Sequence, residues 1–196
     1  MKTLLRIDAS IRRRGSFSRT LGDAFVEAWK HRYPQGDVLR RDIGHEPLPH
    51  LSDEVANAFF TGRRDLQALT LSNHLCDELK QAPEVLITCP MYNFGIPSTL
   101  KAWFDLVVRA NETFRRNGSQ YEGLLHNKTG YVIMAMGDGR PGLRTTENFE
   151  YYLTDMLAFM GIHDVRIITV GGTAMRSFTD DWQTTYQQSI TQLLNN

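Results

Sequence analysis

Four short apolar runs punctuate the chain: Leu4–Ile7, Val85–Cys89, Tyr131–Met136 and Val165–Val170. Each is close to continuous, the pattern of a strand covered on both faces in a parallel sheet. A weaker fifth run, Asp37–Arg41, follows the turn signal Pro34-Gln35-Gly36. Amphipathic segments alternate with these runs. Leu21, Phe25, Ala28 and Trp29 fall at i, i+4, i+7 and i+8, one face of a helix, with Ser18 as its expected N-cap. Leu100, Trp103, Phe104 and Val107 make a second stripe, with Ser98 as the expected cap. Phe149, Tyr152, Leu153, Met156, Leu157 and Met160 make a third. Residues 63–81 read as helical before Pro83. A last polar helix from about Asp180 carries Trp182, Tyr186 and Ile190.

Strand-helix alternation predicts an α/β fold, an open parallel sheet with helices on both faces. Five strands suit the smaller doubly wound order, the flavodoxin-like one. Residues 1–196 are read as one such domain, with no repeat, low-complexity segment or linker. Two stretches exceed a minimal version and are expected to leave the sheet. Residues 43–62 hold Pro47, Pro49 and Phe59-Phe60; residues 111–128 hold Asn117, Gly118 and Gly123.

Composition narrows the function classes. With 22 basic and 22 acidic residues the formal net charge is zero, so no global field draws the chain to nucleic acid or anionic lipid. Any anion must be held by a local site. The two cysteines, Cys76 and Cys89, form neither a CxxC pair nor a zinc spacing, and read as reduced thiols. The opening apolar run is broken by Arg6 and Asp8, too short for a signal-peptide core. No stretch approaches the roughly 18 apolar residues of a membrane span. A cytoplasmic location is expected. His45 and His50 lack the third ligand that a metal site would need.

Ligands of such sheets bind beyond the carboxyl ends of the strands, where the strand order switches. Three loops belong there. The first, Asp8 to Ser18, enters a helix N-terminus, where backbone N–H groups and the helix dipole favour an anion. Ser10, Ser16 and Ser18 add hydroxyl donors, and the absence of GxxxxGK[ST] points to a phosphate that is held, not transferred. Arg12 to Arg14 read as a solvated face. The second loop, Pro90-Met91-Tyr92-Asn93-Phe94-Gly95-Ile96-Pro97, has a path fixed by two prolines and offers aromatic contact to a planar ligand. The third, Ala135-Met136-Gly137-Asp138-Gly139-Arg140-Pro141-Gly142, lets backbone approach closely. Phosphate, aromatic-edge and close-backbone chemistry in one crevice suits flavin mononucleotide (FMN).

The segment Pro90 to Phe94, with Leu100-Lys101 and Phe104-Asp105, resembles the FMN-dependent NADH azoreductases, within the flavodoxin-like quinone reductases. Thr113-Phe114-Arg115, Glu122-Gly123-Leu124, Phe159-Met160-Gly161-Ile162 and the Ser16-Phe17-Ser18 loop extend the likeness over nearly the whole chain. The resemblance implies that Ser10, Ser16, Phe17 and Ser18 bind the FMN phosphate. Met91, Tyr92, Asn93 and Phe94 would line the ring, and Ala135, Met136, Gly137 and Asp138 its pyrimidine side. Where many members carry Ser-Arg-Gly-Gly, this chain reads Ala135-Met136-Gly137-Asp138, losing a hydroxyl and a positive charge. The family also implies a homodimer with shared active sites. Phe59-Phe60 and Phe114 are candidates for that contact, and Phe114, Arg116 and Phe159 for substrate contact. Arg116 stands where some members have tyrosine.

The resemblance implies ping-pong transfer of two electrons from NADH or NADPH to quinones or azo compounds, with no catalytic side chain required and the flavin carrying the chemistry. Arg63, Arg64 and Arg116 are available for a 2′-phosphate, but none is assigned to it. The alternatives are an electron carrier of the flavodoxin type, a non-enzymatic module on the same fold, or a reductase of nitro compounds, chromate or free flavin.

Overall fold

A computed structural model describes residues 2–138, 144–175 and 181–195. The four apolar runs and the weaker fifth form the central sheet: β1 (Thr3–Asp8), β2 (Asp37–Arg41), β3 (Glu84–Pro90), β6 (Thr129–Ala135) and β7 (Asp164–Val170). All neighbours pair in parallel, in the order β2-β1-β3-β6-β7. The chain steps outward from β1 to β2, returns to β3 on the other side, and then proceeds outward. The switch in direction therefore lies between β1 and β3. This is the flavodoxin-like order that the alternation predicts.

Alternate strand residues feed two cores. Leu4, Leu86, Tyr131 and Ile133 pack under α1 (Phe17–Arg32) and α6 (Trp182–Asn195), meeting Leu21, Phe25, Trp29 and Ile190. Leu5, Ile7, Val85, Ile87, Val132 and Met134 pack under α3 (Thr70–Gln81), α4 (Ser98–Val107) and α5 (Arg144–Phe159). Leu100, Trp103 and Phe104, with Phe149, Leu153 and Leu157, supply the helix side of that core, as their spacing predicts.

Three local expectations are corrected. The cap of α1 is Ser16, not Ser18: Ser16 is extended at φ −88° and its hydroxyl accepts from the Arg19 N–H, while Ser18 is already helical. Residue 97 caps α4, with Pro97 at ψ 141° and no side-chain cap bond, so Ser98 is the first helical residue. The helix read over 63–81 starts only at Thr70, after a 3-10 turn at Gln67–Leu69. Residues 63–66 are instead held by ion pairs, Arg63 to Asp65 and Arg64 to Asp77 and Glu112. The two stretches beyond the minimal fold have structure of their own. The first contains α2 (Asp53–Phe59), capped by Ser52. The second is a hairpin, β4 (Phe114–Asn117) and β5 (Gln120–Gly123), around a two-residue loop with Gly118 at φ +63°.

Both cysteines are free and buried. Desolvation pushes the Cys76 thiol up to about 11, with Glu112 adding to it, and pushes Cys89 up to about 12. A raised thiol pKa leaves less thiolate, the nucleophilic form, on the order of 0.1% for Cys76 at pH 8. Iodoacetamide at pH 8 is therefore expected to label neither thiol in the native protein and both after denaturation, read by mass spectrometry. Rapid native labelling would mean that a core helix opens.

Candidate functional site

Four loops meet at the carboxyl ends of β1, β3, β6 and β7, and backbone hydrogen bonds sew them together. The Ala9 N–H donates to the Thr88 carbonyl at 2.9 Å, and the Met91 N–H to the Ala135 carbonyl at 2.8 Å. The Met136 N–H donates to the Val170 carbonyl at 2.9 Å, and the Thr173 N–H returns to the Met136 carbonyl at 3.1 Å. The Tyr92 hydroxyl accepts from the Ile11 N–H at 3.4 Å, joining the first loop to the second.

These loops enclose a cavity of about 320 Å³ at the switch between β1 and β3. Ser10, Ser16, Phe17 and Ser18 line one end, Met91 and Tyr92 the middle, and Ala135 and Gly137 the far wall. The three serines are buried, and Ser16 and Ser18 bring their hydroxyl oxygens within 3.4 Å. They stand at the N-terminus of a 16-residue helix with no acid in its first turn and Lys30, His31 and Arg32 in its last. Such a helix offers its positive end to an anion. At the far wall the chain is already tight: a Cβ on Gly137 would meet that of Ala174 at 3.2 Å.

Other expected residues fall outside this cavity. Asn93 and Phe94 form the tip of a tight turn closed by the reciprocal bonds Tyr92 N–H to Gly95 carbonyl (3.0 Å) and Gly95 N–H to Tyr92 carbonyl (3.1 Å). Both adopt the left-handed region, at φ +49° and +65°, which costs about 1–2 kcal/mol for a residue with a Cβ. Phe94 is 77% exposed and lines a separate apolar cavity of about 560 Å³ with His50, Ile96, Phe149 and Tyr152. Met136 points into the core instead, and Asp138 is exposed and does not line the cavity. Gly139 to Gly142 lie outside the described residues.

Phe114, Arg116 and Phe159 do not line the serine cavity of their own chain. Phe114 and Phe159 stack at 4.8 Å between centroids, with Tyr121 at 5.8 and 5.7 Å from them. This cluster joins the hairpin to the end of α5, and Phe159 and Tyr121 line another cavity of about 360 Å³ with His126 and His163. Arg116 donates to the Gly118 carbonyl at 2.9 Å. Arg63 and Arg64 are engaged in the ion pairs of residues 63–66. His45 sits 3.1 Å from Asp42, and no cluster suited to a metal occurs among the described residues.

Arg12, Gly15 and Pro90 line the serine cavity from within the expected loops without having been assigned a contact there, and Thr173 and Ala174 line it from a fourth loop. For the last two a signal exists: Gly171-Gly172 directly follows β7, at the same end of the sheet as the other three loops. Arg12 reads as one of three exposed arginines, and only the turn that buries Ser10 distinguishes it from Arg13 and Arg14.

Residues 1–194 match the family model described as a flavodoxin-like fold. The FMN-dependent NADH:quinone oxidoreductase of Xanthobacter autotrophicus is 45% identical over 177 residues, 85% of each chain. The chain belongs to the flavodoxin-like FMN-dependent NADH:quinone oxidoreductase family. A second member of this family, FMN-dependent NADH:quinone oxidoreductase 3 of Pseudomonas aeruginosa, is 41% identical over 180 residues, 89% of this chain and 84% of that one. An FMN-dependent NADH-azoreductase from Bacillus anthracis, solved in complex with FMN, superposes with a TM-score of 0.85. It is 25% identical, covering 98% of this chain and 99% of that one. An azoreductase from Bacillus anthracis shares the fold at a TM-score of 0.87 and 22% identity, covering 100% and 99% of the two chains.

The donor set fits the family's cofactor. An uncharged hydroxyl cluster at a helix N-terminus suits a phosphate that is bound without being transferred. Met91 and Tyr92 beside the glycine-lined wall suit one side of a planar ring.

Proposed function

We propose that the chain is an FMN-dependent NAD(P)H oxidoreductase that reduces quinones and azo compounds, working in the cytoplasm as a homodimer with shared active sites. The convergence of the buried serines and the Met91-Tyr92 loop on one cavity at the switch point carries this reading. The names of the quinone oxidoreductase relatives and of the FMN-bound azoreductase agree with it. When bound there, FMN supplies the two-electron redox chemistry.

The chain's residues bind, orient and exclude water. Ser10, Ser16 and Ser18 would hold the phosphate, with the first-turn N–H groups of α1 as backbone donors. Met91 and Tyr92 would hold one side of the ring, and Ala135 and Gly137 its polar edge, where small residues let backbone donors and acceptors approach. The left-handed Asn93-Phe94 turn projects Phe94 past the ring pocket, where it would cover a flat substrate. One open face would serve donor and acceptor in turn, which gives ping-pong kinetics and selects for flatness over identity.

The dimer is supported by what the monomer leaves exposed. Phe60 is 89% exposed, Phe94 77% and Tyr121 63%, and exposed large aromatics are the usual anchors of an interface. Phe114, Arg116 and Phe159 stand away from their own chain's serine cavity, so in this reading they reach that of a second copy.

Anaerobic stopped-flow of the FMN-loaded protein tests the assignment. Mixing with NADH should bleach the long-wavelength flavin band, and benzoquinone or an azo dye should then restore it. Tight FMN binding with no bleaching by NADH or NADPH would replace the reductase by an electron carrier. Failure to bind FMN would remove the site itself.

A further inference from the structure

Beneath the serine cavity lies a residue that the sequence pattern leaves inside an ordinary helix. Arg19 is in the first turn of α1, and its side chain is only 9% exposed. Its guanidinium forks. Nε and Nη2 both donate to the Ser10 carbonyl, at 3.1 and 2.5 Å. Nη1 and Nη2 donate to the two oxygens of Asp42 at 2.7 and 2.6 Å, and Asp8 stands 3.8 Å from Nη1. At its other end, the Arg19 backbone N–H donates to the Ser16 hydroxyl at 3.4 Å. One residue thus touches both halves of the cradle.

The consequence follows from peptide geometry. A peptide is planar and trans, so a carbonyl and the N–H that follows it point in opposite directions. Drawing the Ser10 carbonyl down onto Arg19 turns the Ile11 N–H the other way, to where it meets the Tyr92 hydroxyl. It also removes from the cradle a carbonyl oxygen that would repel an anion. Gly44 packs directly on this peptide: a Cβ on it would fall 2.2 Å from the Ser10 carbonyl oxygen and 2.8 Å from Arg19 Nη2. Burial opposes the guanidinium charge, but Asp42, Asp8 and Asp23 together more than offset it and hold Arg19 above its ordinary pKa. Desolvation likewise works against the Asp42 carboxylate, and Arg19 overcomes it, holding Asp42 below its ordinary value.

We propose that Arg19 is a positioning residue for the cofactor phosphate, fixing the Ser10 peptide and the Ser16 hydroxyl so that the cradle presents donors only. This rests on the FMN reading of the site. A lysine keeps the charge but is a single point on a flexible stem and cannot reproduce the fork. The role therefore predicts loss in Arg19→Lys, where a purely long-range electrostatic role predicts none.

The test is titration of apoprotein with FMN and with riboflavin, read by flavin fluorescence, with Tm recorded for each protein. The readout is the ratio of the two dissociation constants, which isolates the phosphate. Arg19→Lys should lower the wild-type ratio at least tenfold while changing the riboflavin constant less than about twofold. Asp42→Asn, which loosens the fork from behind, should lower it about threefold and decides the matter if Arg19→Lys does not fold. Tight, phosphate-dependent FMN binding by the wild type with an unchanged ratio in the variants overturns the role of Arg19 alone. Wild-type protein that does not distinguish FMN from riboflavin overturns both this role and the proposed function.

Discussion

Replacing Asp8 by alanine is expected to cost about 3–5 kcal/mol of folding stability, the loss typical when one partner of a buried charge network is removed. Asp8 ends β1 with no exposure. One oxygen accepts from Arg6 at 3.0 Å and from the Thr88 hydroxyl at 2.7 Å; the other accepts from Arg40 at 2.8 Å. The Arg6 side chain is 3% exposed and that of Arg19 9%. Without Asp8, Arg6 keeps the carboxylate of Asp23 and Arg19 that of Asp42, both at the rim, beside bonds to the uncharged Arg19 and Ser10 carbonyls. Two buried positive charges would then face each other across the space the carboxylate held. For a chain of this length the corresponding fall in Tm is roughly 10 °C. Urea unfolding should show a lower midpoint at unchanged slope. A loss below about 1 kcal/mol would mean that water reaches the cluster and screens it.

The same network explains where sequence reading stops. Four of the five sheet strands are legible as apolar runs, most clearly Val85–Cys89, where every residue is buried, whereas the edge strand β2 is half exposed and is marked chiefly by the turn before it. Arg6 and Asp8 interrupt β1 in the sequence yet are buried in the structure, tolerated because they pair with each other and, across the fold, with Asp23 of α1 and Arg40 of β2. That pairing depends on β1 meeting β2 and α1, which no local pattern contains. Ser10, Ser16 and Ser18 are readable as donors, since serine before a helix is a local signal. Which serine caps the helix is not readable, because Ser16 and Ser18 carry the same chemistry and only the backbone at Ser16 decides.

Elsewhere the missing signal is burial itself. Among α2 residues only Ala58 is buried, so seven residues show no apolar stripe. The β4–β5 hairpin carries the turn signal Asn117-Gly118, but its flanks are mostly exposed and do not alternate. Its contact with the body of the protein runs through Phe114, Tyr121 and Gly123. The placement of Phe114 and Phe159 away from the serine cavity follows from that docking and from nothing local in the sequence.

Gly123 is the point at which that docking can be tested. A Cβ there would lie 2.1 Å from the Gly161 nitrogen, 2.4 Å from the Met160 carbonyl carbon and 2.5 Å from the Gly161 Cα. All three are backbone atoms, so no side chain can rotate out of the way. Gly161 itself has φ +102°, and a Cβ on it would meet the Leu125 nitrogen at 2.9 Å. The Leu125 N–H donates to the Met160 carbonyl at 2.8 Å on the same seam. Gly123→Ala must therefore lift the hairpin from the end of α5, at a cost of about 1–3 kcal/mol. Lifting it parts Phe114 and Tyr121 from Phe159. The serine cavity shares no lining residue with this seam, so FMN affinity should change less than about twofold. If the aromatic cluster covers the acceptor in the site of a second copy, kcat/KM for benzoquinone should fall on the order of 10- to 100-fold, the penalty of displacing positioning groups by about 1 Å. Unchanged turnover beside a lowered Tm would assign the hairpin to stability and remove Phe114 and Phe159 from the substrate site.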